Sequence, residues 1–121
     1  MAAKANILVD QGTTFNTLLN LTDTVGDPFD LTGYSAQSQI RQWYTSSNSV
    51  SFTTAISTPT AGSITLSLSA NTTAGMLYQR YVYDVVIIDS SNNITRVVEG
   101  ILTVNPAATQ ITGVNYSEPS Y

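Results

Sequence analysis

The chain contains no cysteine and no histidine among its 121 residues. That double absence excludes disulfides, thiolate nucleophiles, imidazole general bases and the commonest zinc ligands together. Charge is also scarce: Asp, Glu, Lys and Arg make up 10% of the chain, against roughly 25% in an ordinary soluble domain. Only Lys4, Arg41, Arg80 and Arg96 are positive and the formal net charge is −4. No basic stripe is left to neutralise phosphates, so a nucleic-acid partner is not expected. The N-terminal "MAAKANILVDQGTTF" holds no apolar run of signal-peptide length, and no stretch approaches the ~18 apolar residues of a membrane span. The expected product is soluble, has no membrane partner and does not follow the ordinary secretory route.

Hydroxyl and amide side chains take the place of charge. Ser, Thr and Asn occupy 41 of the 121 positions, a surface that packs against neighbours without desolvating many ions. Such a surface suits a homo-oligomer or a multi-copy assembly. The length fits one domain with a single core. We expect that domain over residues 1–106, with residues 107–121, "AATQITGVNYSEPSY", forming an extended C-terminal arm.

Alternating apolar and polar residues mark half-buried strands, because successive side chains point to opposite faces of a sheet. In "SITLSLS", Ile64, Leu66 and Leu68 share one face; in "VSFTTAI" (50–56), Val50, Phe52 and Ile56 do. Five further segments read as strands: 5–10, 13–21, 34–43, 81–89 and 93–104. Both parities of "YVYDVVIID" (81–89) are largely apolar, which predicts a central strand covered on both sides. Turn residues punctuate 25–30, 45–49, 57–62 and 89–93, the last making 81–104 a hairpin. The one helix-like piece is "SANTTAGM" (69–76), with Asn71 as the expected cap. Seven short strands with one helical turn ahead of a tyrosine-rich strand predict an all-β fold, an immunoglobulin-like antiparallel β-sandwich. In such sandwiches a tyrosine hydroxyl bonds back to the preceding corner, a role open to Tyr78 or Tyr81.

Three stretches carry a resemblance: "GDPFDLTGYSAQSQIR" (26–41), "AGSITLSLSANTTAGMLYQRYVYDVVIID" (61–89) and "TRVVEGILTVNPAAT" (95–109). Their order and spacing, from about residue 15 to 109, resemble a small all-β module in virion proteins of tailed bacteriophages. That module includes the N-terminal domain of baseplate upper proteins and short structural proteins of phages infecting cyanobacteria. The resemblance implies a non-enzymatic virion component, assembled in the host cytoplasm, whose partners are other virion structural proteins. Baseplate proteins with this module carry long extensions, whereas this sequence stops shortly after it, which leaves tail, baseplate, neck and capsid decoration all open as its place.

Four groups of residues invite sharper readings. Asp84 with Arg41, Arg96 or Glu99 would be the material for an acid–base site, but such a site needs titratable groups held at separated pKa values or a nucleophile beside a base. If strands 34–43 and 81–89 are neighbours, Arg41 and Asp84 share the outer face, and the expected arrangement is an ion-pair row of Arg41 with Asp84 and Glu99. No catalytic residue, metal ligand or cofactor is assigned. Asp23, Asp27 and Asp30 suggest calcium, yet their spacing lacks the alternate acids and closing glutamate of an EF-hand loop, so turn-forming aspartates are expected. Trp43, Tyr44, Tyr34 and the Tyr78–Tyr83 cluster would serve as a platform for a host glycan, although core packing and interface anchoring are commoner roles. Sequons at Asn20, Asn71, Asn93 and Asn115 are expected to be chance in so Ser- and Thr-rich a chain.

Overall fold

The computed structural model describes residues 3–114 and Tyr116. Nine strands, one 3₁₀ turn and one helical turn follow in order: β1 (Ala3–Lys4), β2 (Ile7–Asp10), β3 (Phe15–Asn20), β4 (Ser35–Arg41), β5 (Val50–Ser51), β6 (Thr53–Ala55), the 3₁₀ turn Pro59–Ala61, β7 (Ser63–Leu68), α1 (Ala70–Ala74), β8 (Arg80–Ile88) and β9 (Ile94–Asn105). They form two layers. One sheet runs β1-β9-β8-β4-β5 with β2 also on β9, and the other runs β3-β7-β6.

The layers seal over the rows that alternation singles out. Ile64, Leu66 and Leu68 of β7 meet Tyr81, Tyr83, Val85 and Ile87 of β8, and Val98, Leu102 and Val104 of β9, all buried. Phe52 fills the centre, 6.1 Å from the rings of both Phe15 and Tyr83. β8 lies mid-sheet between β4 and β9, as expected, but it is not covered on both sides: Val82, Asp84, Val86 and Ile88 on its outer face are only half-buried.

The arrangement is an immunoglobulin-like β-sandwich. β1 and β2 run parallel to β9, the other pairings are antiparallel, and the chain passes between sheets where the fold requires it. Tyr81 fills the corner role: its hydroxyl donates to the Leu77 carbonyl at 2.7 Å, just after α1. The helical turn itself is capped one residue pair earlier than expected, by Ser69, whose Oγ accepts from Thr72 N at 3.2 Å. Asn71 lies inside it.

One expected strand is divided and another is shortened. The segment 50–56 divides at Phe52, with β5 pairing β4 and β6 pairing β7. Burying the Phe52 ring while its N–H bonds Ser38 O at 3.0 Å carries the chain from one sheet to the other. The strand expected over 5–10 starts at Ile7; Ala5 and Asn6 instead link it to β1, and the Ala5 carbonyl there receives the Tyr83 hydroxyl.

β9 ends at Asn105, and the following stretch touches the body at two places. Ala107 N donates to Gln11 Oε1 at 3.4 Å. The Tyr116 ring lies against Gly12, where a Cβ would overlap it, and its hydroxyl accepts from Ile111 N at 2.9 Å. Asn115 and residues 117–121 of the expected arm lie outside the described residues.

Candidate functional site

Four charged residues, Arg41, Asp84, Arg96 and Glu99, converge on the outer face of the larger sheet. β4 brings Gln39 and Arg41, β8 brings Asp84, and β9 brings Arg96 and Glu99. Asp84 stands directly opposite Gln39 on one side and Glu99 on the other. Two acids facing each other across a ladder repel, and a cation between them removes the conflict.

That cation is Arg96, not Arg41. Arg96 Nε lies 3.1 Å from Asp84 Oδ2, and its Nη1 lies 3.2 Å from Glu99 Oε2. The cause is a β-bulge. Val85 pairs with Val98 but Val86 pairs with Arg96, so Val97 is an extra residue on β9. Counting by twos from buried Val98 would turn Arg96 into the core; the inserted residue turns it out to the acids. Arg41 shares the outer face, as expected, but spends its guanidinium on the Ser46 carbonyl and on Gln39 Oε1, the latter at 2.8 Å. The expected Arg41–Asp84 pair is therefore replaced by an Asp84–Arg96–Glu99 triad.

The loop after β4 completes the patch. Trp43 and Tyr44 are 57% and 56% exposed, and the Tyr44 ring centre lies 6.0 Å from the Arg96 guanidinium carbon, a cation–π distance. Beside Tyr44 and Arg96 is a shallow cleft of about 230 Å³ lined by Gln39, Arg41, Tyr44, Val82, Tyr83, Asp84 and Arg96. The other described aromatics present no exposed ring to the patch, although Tyr83 underlies the cleft. Tyr81 and Tyr83 are core residues, and Tyr34 packs edge-on against Phe29 at 5.7 Å, at the far end of β4 from Trp43.

The aspartates of 23–30 form turns. Asp23 Oδ1 accepts from the N–H groups of Val25 and Asp27 at 3.0 and 3.1 Å. Asp30 Oδ1 accepts from the hydroxyl and N–H of Thr32, at 2.6 and 2.9 Å, which holds its carboxyl below the ordinary carboxylate range. Among the described residues no group of three His, Cys, Asp or Glu gathers around a point where a metal would sit, and no helix is long and apolar enough to cross a membrane.

Several structural residues carried no recognisable sequence signal. Gln11 is 3% exposed and donates its Nε2 to the carbonyls of Ala74 and Met76 at 3.3 and 3.1 Å. Thr73 Oγ1 bonds Thr13 O at 2.8 Å. Together they tie α1 to the turn between β2 and β3. Gly100 is required because the Ala5 carbonyl crosses its α-carbon, leaving no space for a side chain.

Fold and surface define the class: a small immunoglobulin-like sandwich with a self-neutralised sheet face and two exposed aromatics beside it. No protein-family model and no curated protein matches the chain. Among solved structures it is similar to an internalin-like protein of Listeria monocytogenes, at 15% identity and a TM-score of 0.47, over 86% of this chain and 28% of that one. It is similar to murine CRIg at 11% identity and 0.42, over 84% and 92%, and to the GspB Siglec domain at 14% and 0.45, over 84% and 54%. The chain thus spans under a third of the first and about half of the last. The immunoglobulin-like assignment itself rests on strand order and the tyrosine corner.

Proposed function

We propose that the protein is a non-enzymatic structural or adaptor subunit of a tailed-phage virion, docking other virion proteins at the tail, baseplate or neck. Capsid decoration is the nearest alternative placement. The observation that carries the reading is the state of the charged face. Asp84 and Glu99 are satisfied by Arg96, and Arg41 by a backbone carbonyl and an amide. That leaves a neutralised frame, not an acid and a base held apart for proton transfer. The family resemblance over residues 15–109 supplies the virion context. Affinity would come from exposed apolar and aromatic groups such as Trp43 and Tyr44, and from strand edges, with few ions to desolvate.

Co-sedimentation with purified particles tests this directly: the protein is expected in the particle fraction in multiple copies, and its absence from particles made in cells expressing it would end the proposal. A second reading, a host-glycan module, is favoured by one observation, exposed Tyr44 lining a shallow cleft with exposed Trp43 next to it in the chain. Trp43 emission titrated with host surface polysaccharide decides it; a flat response removes the glycan.

A further inference from the structure

In an immunoglobulin-like sandwich the first strand ordinarily pairs with the second and closes that edge of its sheet. Here both β1 and β2 pair with β9 instead, and among the described residues β3 is the end strand of its sheet. Leu21 N donates to Gly62 O across the β3–β7 register at 2.7 Å. Antiparallel ladders alternate the direction of their backbone groups, so the odd residues of β3 bond β7. The N–H and C=O of Asn16, Leu18 and Asn20 point to the open side. The same three residues carry the exposed side chains of the strand, and Leu18 is 56% exposed.

Exposed edges are normally blunted by charge, proline, a bulge or shortness. The other edges show such devices: β1 ends in Lys4, β2 ends in Asp10, and β5 and β6 are 2 and 3 residues long. β3 is 6 residues, "FNTLLN", without charge, proline or bulge. Its outer row reads Asn16, Leu18, Asn20, which is a palindrome.

We propose that β3 is the docking edge for a second copy of this chain, paired antiparallel about a two-fold axis through Leu18. In that register Asn16 faces Asn20 of the copy, and Leu18 faces its own equivalent. These residues exchange both backbone bonds, because each already presents its N–H and C=O outward. The symmetry places amide beside amide and leucine beside leucine, with no charge brought face to face. The pairing joins the two smaller sheets into one. An edge contact of this length is a small interface, of the size that gives weak, transient pairs. Multiple copies held in one assembly would strengthen it.

The inference stands on the geometry of the edge and goes beyond the virion reading, so each can fail alone. Sedimentation of the full chain up to about 1 mM is expected to show a monomer–dimer equilibrium. Leu18→Lys is expected to weaken it at least about tenfold, Leu8→Lys on the β2 edge to leave it unchanged, and an equimolar mixture of Leu18→Lys with Leu18→Glu to restore it. In the wild type, amide exchange of Leu18 and Asn20 should slow as concentration rises, a readout independent of any variant. A wild-type monomer throughout, a dimer indifferent to Leu18→Lys, a dimer lost with Leu8→Lys, or a mixture that stays monomeric would each overturn the proposal. So would amide exchange that ignores concentration.

Discussion

Replacing Gly100 by alanine adds one methyl group where the Ala5 backbone crosses β9. A Cβ there would lie against the Ala5 carbonyl, 2.8 Å from its carbon and 3.2 Å from Tyr83 Cε1. Ala5 is held by two bonds, its N–H to Glu99 O at 3.0 Å and its carbonyl to the Tyr83 hydroxyl. Relief requires the link between β1 and β2 to lift away, which breaks both. Each bond is worth about 1 kcal/mol, and leaving the hydroxyl of a buried tyrosine unpaired adds about 1 kcal/mol more. Alanine recovers about 0.5–1 kcal/mol of the entropy that glycine loses in a strand. The net destabilisation is about 2 kcal/mol, which for this length lowers the melting temperature by about 8 °C. Tyr83→Phe, which removes one bond without crowding, should cost about half as much. Far-UV circular dichroism is the suitable probe, since Trp43 is already 57% exposed and its emission changes little on unfolding. A Gly100→Ala shift of less than about 2 °C would refute the crossing as described.

Other consequences are as specific. Arg96→Ala leaves Asp84 and Glu99 opposed, and denaturant titration should show a loss of about 0.5–1 kcal/mol that shrinks in high salt; no loss, or a salt-independent one, would contradict the triad. The Asn93 N–H donates to Asp89 Oδ1 at 2.9 Å and the Asn93 side-chain amide to Oδ2 at 3.0 Å, and these bonds, with a smaller share from the Ser91 N–H at 2.8 Å, lower the carboxyl below the usual 3.8. Its contribution is therefore present above that value and disappears as pH falls through the lower folded pKa, so Asp89→Ala should be destabilising at neutral pH and nearly silent in strong acid. Burial raises Tyr81 and Tyr83 above the ordinary 10.0. The stability this provides is full below that pH and is lost as pH rises through the folded values, so ultraviolet titration should find these tyrosines ionising late, together with alkaline unfolding. Ionisation of every tyrosine near its ordinary value in folded protein would contradict their placement.

Most of the fold was legible because it follows from period-two alternation. The rows of β7 and β8 are regular, and the turn at 89–93 carries its own chemistry, with Asn92 at φ 64° where asparagine is tolerated. What could not be read was whatever depends on one residue more or less. The extra Val97 in β9 reverses the facing of Arg96, so the ion-pair partner predicted by alternation was Arg41. The sheet change at Phe52 interrupts a segment whose pattern looks unbroken. Gln11 and Thr73 act through carbonyls 65 and 60 positions away in sequence, a pairing for which composition and periodicity carry no trace. The acids of 23–30 were legible because Asx turns are local.

The most direct test of the docking role is a map of an intact tailed-phage particle made in cells expressing this chain, at a resolution that traces strands. The proposed function predicts density for this sandwich in symmetric multiple copies, with neighbouring virion proteins packed against its apolar edges and the Trp43–Tyr44 loop. Particles that are complete without it, or density in which it touches no other virion protein, would contradict the assignment.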